Sequence, residues 1–128
     1  MLDPHHAQQF AAAWLAAWNS HELEAILSHY APDVRFHSPF IARLAGAPSG
    51  CLVGTAALRP YFATALAAYP ELHFVPITVL PGADSVTLLY RSVNQLLAAE
   101  VMVLDDHHRA TQVRAHYRPL ADVPDWPR

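Results

Sequence analysis

The hydrophobic period of the chain changes once, near residue 71, and that change sets the fold class. Before it, apolar residues recur at helical spacing; after it, they alternate as strands do. Asp3-Pro4 supplies an N-cap and a proline for the first helical position, and Phe10, Trp14 and Trp18 follow at intervals of four, predicting a helix that ends near Asn19. Ser20 caps a second helix, with Glu22 and Glu24 at its positive end and Leu23, Ile26, Leu27 and Tyr30 as its apolar stripe. Pro32 closes it. Residues 34–38 then read as a short strand stopped by Pro39. Gly46, Pro48, Ser49 and Gly50 mark 40–53 as a long loop of the kind that covers a site. A third helix carries Leu58, Tyr61, Phe62, Ala65, Leu66 and Tyr69 on one face, and Pro60 either sits in its first turn or kinks it.

From Glu71 onward, 72–80, 85–93, 96–104 and 109–118 alternate as four strands of an antiparallel meander, with Pro76 requiring an edge or a bulge. The expected architecture is α+β: three N-terminal helices packed on a curved, mainly antiparallel sheet. The 128 residues suit one domain, here 1–118, followed by a Pro-containing tail over 119–128.

Composition narrows the function. With 53% hydrophobic and 15% charged residues the chain is too apolar for disorder and has material for a core around a cavity. A formal charge of −3 and eight basic residues, all arginine, argue against nucleic acid as a partner. Cys51 is the only cysteine, which fits a reducing compartment. The first residues carry an acid and no cationic run, and no apolar stretch is long enough to span a bilayer, so no membrane role and a cytoplasmic location are expected.

Glu100 is the most informative residue. It is the one carboxylate in 96–104, a segment apolar on both faces, where desolvation raises its pKa and lets it serve as a general acid, a hydrogen-bond donor or a base. If Asn94-Gln95 forms a two-residue hairpin, Leu89 pairs with Glu100 and Arg91 lies diagonally beside it. Arg91 is then either the ion-pair partner of Glu100 or an anion-binding companion in the same pocket. In that register Val86, Leu88, Tyr90, Val101 and Val103 form the opposite face, apolar enough to predict a homodimer. Trp14 and Trp18, Tyr61 and Phe62, and the strand residues Phe36, Tyr90, Met102 and Tyr117 supply a lining suited to a small apolar or aromatic molecule. A bulged last hairpin would turn His116 inward in place of Tyr117. The nine histidines include no pair at helical spacing beside an acid, so neither metal nor cofactor is expected. Cys51 has no identifiable base partner.

The stretches from Trp14 to Ile26, Tyr30 to Val34, Gly54 to Leu58 and Val113 to Tyr117 together resemble the SnoaL-like and ketosteroid-isomerase-like group of the nuclear-transport-factor-two-like superfamily. The resemblance spans about residues 5–118 and implies a cone-shaped fold enclosing a pocket. It implies that Glu100 takes the strand position where steroid isomerases hold a protonated acid, the case used as a standard example of a neutral carboxylic acid. It sets Tyr117 on the same face. It puts Ser38 where those isomerases carry the proton-shuttling aspartate, and Trp14 where they carry an oxyanion-binding tyrosine. A serine hydroxyl does not abstract an α-proton unaided, so the usual steroid route is disfavoured. The implied function is an isomerase, cyclase or hydrolase using general acid–base chemistry. The alternatives are a noncatalytic small-molecule binding module and a dimeric interaction domain with a filled core.

Overall fold

The computed structural model of the chain describes residues 2–124, in which four helices lie against one six-stranded, open sheet. Helix α1 is Pro4–Ser20, and Asp3 Oδ1 accepts from the His5 amide at 2.7 Å to cap it. Its buried stripe of Ala7, Phe10, Trp14 and Trp18 follows the spacing read in the sequence. The helix ends where His21 turns left-handed (φ 61°), and Asn19 then binds both backbone groups of Phe74, fastening α1 to the chain entering the sheet. Helix α2 (Leu23–Leu27) is a single short turn-and-a-half, tied to a later helix by an exposed Glu24–Arg59 pair.

Strand β1 (Tyr30–His37) is followed by helix α3 (Pro39–Leu44), strand β2 (Cys51–Val53) and helix α4 (Thr55–Ala68). Strands β3 (Val75–Pro81), β4 (Ser85–Arg91), β5 (Leu96–Leu104) and β6 (Ala110–Pro119) form the expected antiparallel meander. The order across the sheet is β2-β1-β6-β5-β4-β3, so β1 inserts beside β6, and that one pair is parallel. Pro76 lies in edge strand β3 at a register shift, satisfying both conditions that its missing N–H imposes.

Several expectations need correction. The segment 40–53 is not wholly loop: it begins with α3, making four helices rather than three, and ends with β2. Ser38-Pro39 does there what Asp3-Pro4 does for α1, with Ser38 Oγ accepting from the Phe40 amide and Pro39 in the first turn. Helix α4 starts at Thr55 and runs through Pro60, so the proline sits inside the helix. After Pro119 the chain makes a 3-10 turn over Leu120–Asp122 with Leu120 buried, and residues 125–128 of the expected tail lie outside the described residues.

The largest correction concerns the register of β4 and β5. Their connection is not a two-residue hairpin but the longer turn 92–95, closed by the Ser92 amide on the Leu96 carbonyl, with Asn94 and Gln95 both left-handed. Leu88 therefore pairs with Glu100, and Arg91 with Leu97. One residue of slip turns over a whole face. Val86, Leu88 and Tyr90 are buried on the inner side with Glu100, while Arg91, Leu89, Val101 and Val103 face outward. The outer face expected for dimerisation was thus half wrong, and Arg91 cannot pair with Glu100.

Candidate functional site

A cavity opens between the helices and the inner face of the sheet. Helix α1 contributes Trp14 and Trp18, α4 contributes Tyr61 and Phe62, and the link from α4 to β3 contributes Tyr69, Leu72 and Phe74. Phe36, Tyr90, Glu100 and Tyr117 enter from β1, β4, β5 and β6, and Phe40 and Leu44 from α3. Ser92 and Val93 complete the wall, and among the described residues no arginine or histidine lines it. Its total void is about 490 Å³ counted to the mouth, within which the centre of a water molecule can sweep about 50 Å³. That exceeds the space one water needs, which is on the order of 10–15 Å³, but leaves a narrow chamber.

The walls are aromatic pairs. Phe74 stacks on Trp14 with centroids 5.8 Å apart, Trp18 meets Phe62 edge-on at 4.8 Å, and Phe74 approaches Tyr90 at 4.7 Å. Such offset and edge contacts align ring edges with ring faces and fix the shape of the chamber.

Glu100 is the ionisable acid among the lining residues, and it is 3% exposed. Tyr90, across β4, donates its hydroxyl to Glu100 Oε1 at 2.5 Å; no other described group hydrogen-bonds the carboxyl. Burial pushes the Glu100 pKa up to about 7, against a smaller downward pull from the Tyr90 hydrogen bond. The carboxyl therefore exchanges a proton near neutrality, the range in which general acids and bases work.

The surrounding phenols are held neutral. Burial raises Tyr30, Tyr90 and Tyr117, and the nearby Glu100 charge adds to each; burial likewise brings Tyr61 to about 12. Tyr30 accepts a hydrogen bond from Trp14 Nε1 at 3.0 Å, so that indole is spent on the core rather than offered to a ligand. Trp18 Nε1 lies near the same oxygen without the geometry of a hydrogen bond. The Ser38 hydroxyl interacts with both Tyr61 and Tyr117, lowering their pKa slightly against the rise from burial.

Of the residues singled out in the sequence, Trp14, Trp18, Phe36, Tyr61, Phe62, Glu100 and Tyr117 meet around the cavity. Arg91, Ser38 and Met102 do not line it. Arg91 is on the outer face; Ser38 is buried behind the phenols as the cap of α3; Met102 is buried one pair farther along β5, opposite Val86 and Val113. Tyr117 faces in: it opposes Ala98, two residues along β5 from Glu100, and residues two apart on a strand share a face. His116 is exposed, and its Nδ1–H donates to the Ala99 carbonyl. The sequence reading passed over Phe74, Phe40, Tyr69 and Leu72. Leu72 and Phe74 were visible as an alternating pair at the start of the strand pattern, whereas Phe40 was hidden by reading its segment as loop. Among the described residues no three His, Cys, Asp or Glu side chains gather as a metal site.

Comparison with known proteins bears on the fold and on the cavity. A family model for the SnoaL-like domain matches residues 11–123. A SnoaL-like protein of unknown function from Burkholderia thailandensis is 43% identical, with a TM-score of 0.87 over 91% of this chain and 97% of that one. A candidate isomerase of the SnoaL-like family from Agrobacterium tumefaciens shares the fold at 17% identity and a TM-score of 0.72, covering 89% of this chain and 98% of that one. TerC, co-crystallised with polyporic acid, shares it at 18% identity and a TM-score of 0.71, covering 90% and 93%. No match was found among curated proteins.

Proposed function

We infer that this chain, which belongs to the SnoaL-like domain family, is a small-molecule pocket protein in which Glu100 acts as general acid or base on an apolar or aromatic ligand. The observation that carries this reading is the carboxyl itself: buried, faced by the cavity, and held at one oxygen by Tyr90 while the other has no partner among the described residues. A structural acid in such surroundings would be fully paired. Isomerisation, cyclisation and hydrolysis each need a group that gives or takes one proton, and Glu100 meets that need. The co-crystallisation of TerC with polyporic acid supports a small-molecule ligand by analogy of fold alone. Ser38 is engaged as a helix cap, which weighs against an aspartate-like shuttle at that position.

The test is turnover of a panel of enones, polyketide-like esters and epoxides by the wild type and by Glu100→Gln. Turnover abolished in a folded variant supports catalysis. Ligand binding without turnover in either protein supports the noncatalytic binding module. The absence of both supports a filled-core interaction domain.

The same reading includes a homodimer through the outer sheet face. Leu89, Leu97, Val101 and Val103 lie outward there, and Val75 and Ile77 of the neighbouring edge strand are 42% and 41% exposed. Asp84 and Asp106 lie in the turns at one end of these strands, and Arg91 and Arg118 at the other. A two-fold axis across the strands brings the acidic end of one copy to the basic end of its mate, as an isologous contact requires. A reducing cytoplasm suits the unpaired Cys51.

A further inference from the structure

Among the described residues the cavity combines many ring faces with one buried acid and no basic group. Each ring presents a negative face, and the carboxyl, when ionised, adds a full negative charge that no described cation neutralises. We propose that this pocket selects ligands that carry a positive charge on their apolar body, of the tertiary or quaternary amine class. The proposal rests on the pocket reading above and names the ligand chemistry for it.

Each kind of ligand acts differently on Glu100. An anion of the same shape would place a second negative charge among ring faces and beside the carboxyl. A neutral ligand leaves the carboxylate without a counter-charge, so occupancy favours the protonated acid. A cation supplies the missing charge in a medium where attraction between charges is little screened, and the ring faces add to it. A quaternary ammonium gives up less hydration on entry than a primary amine, and so gains most. The free oxygen of Glu100 is the group available to it, since Oε1 is already held by Tyr90.

The groups around the carboxyl allow this. Tyr90 faces it from β4, Tyr117 from β6, Tyr30 from β1 and Tyr61 from α4, and burial keeps all four uncharged near neutrality. Helix α1 contributes Trp14 and Trp18, which carry no charge. Arg43 on α3 is an exposed side chain that does not line the cavity. Its guanidinium sits 4.7 Å from the Phe40 centroid, so one lining ring already takes a cation.

The test uses three probes with one body: benzyltrimethylammonium, its uncharged carbon isostere neopentylbenzene, and phenylacetate. Each is titrated by calorimetry into wild type and Glu100→Gln, with thermal melts to show that both are folded. The expected result is a preference of about tenfold or more for the cation over the isostere, equivalent to the gain from cation–π contact and the counter-charge. Cation affinity should rise between pH 6 and 8 as Glu100 ionises, while the isostere shows no such trend. In Glu100→Gln the cation should lose about tenfold and the isostere less than twofold. An isostere that binds wild type as tightly as the cation overturns the proposal and leaves the pocket reading standing. Failure of all three probes to bind overturns both. Should Glu100→Gln not fold, the wild-type cation-to-isostere ratio and its pH trend decide the matter alone.

Discussion

Tyr90 and Glu100 lie on neighbouring strands two residues off a direct pair: Glu100 opposes Leu88, Tyr90 opposes Ala98, and the phenol reaches diagonally along the inner face to Oε1 at 2.5 Å. The tyrosine gives the carboxyl one strong donor and leaves its other oxygen to the cavity. The titration of the site depends on this contact.

Stability should therefore depend on pH through Glu100 in a defined direction. Its pKa is 4.5 for a free side chain and about 7 in the fold, so the folded state holds its proton more tightly than the unfolded state. The stabilising effect of that proton is complete below about pH 4.5 and is lost as pH rises through 7. At about 1.4 kcal/mol per pH unit, wild type should lose roughly 3 kcal/mol relative to Glu100→Gln across this window. Paired denaturation curves at pH 4.5, 6 and 7.5 measure the difference; a constant gap between the two proteins would refute it.

Removing the phenol hydroxyl should act on both stability and titration. Tyr90→Phe deletes the donor to a buried carboxyl and should cost about 1–3 kcal/mol. Because the hydrogen bond pulls the pKa down, its loss should move the Glu100 midpoint further up. Carbon-detected NMR titration of the Glu100 side chain reads the midpoint, and a downward move would contradict the assignment.

Arg91 should be dispensable to the pocket. It lies outward and touches nothing at the site, so Arg91→Ala should change stability by no more than about 0.5 kcal/mol and leave ligand affinity unaltered. A large loss of affinity would mean that the register is the one expected from a two-residue hairpin.

The outer face can be tested by charge. Val101→Arg, in the middle of β5 and outward-facing, should convert a dimer to a monomer in light scattering while near-ultraviolet dichroism stays unchanged. A wild type that is monomeric at micromolar concentration removes the dimer from the proposed function.

Ser38 offers a local test. Ser38→Ala removes the acceptor for the Phe40 amide and should cost about 1 kcal/mol as a lost helix cap. Tyr61 and Tyr117 lose a hydroxyl neighbour in the same variant, so their ultraviolet titration should move up rather than down.

The sequence disclosed the layer order because its signals were strong: the four-residue spacing of Phe10, Trp14 and Trp18, and the long alternation after Glu71. Glu100 stood out for the same reason, as a charge in an apolar segment. Arg91 was misplaced because Asn94-Gln95 suits a two-residue hairpin, while the actual turn takes one more residue, Val93, between Ser92 and Leu96. Nothing local to the strands reveals that difference; only burial of Tyr90 against Trp14 and Phe74 selects it. Helix α3 was legible but passed over. Its Ser-Pro start repeats the Asp-Pro start of α1, yet Pro39 was taken as the end of a strand rather than the first residue of a helix.

The parallel pairing of β1 with β6 has a kinetic consequence. His37 donates Nδ1–H to the Val113 carbonyl across 76 residues of chain, so the middle of the sheet joins segments made far apart in the sequence. The meander β3 to β6 can form from local hairpins, whereas β1 must wait for β6 and closes the longest loop of any strand pair in the sheet. Until it does, β6 is an open edge and the Phe36 wall of the cavity is missing. Folding is thus completed at the pocket, and a nascent or weakened chain presents that unpaired edge, a template for aggregation, at the place where its ligand would bind.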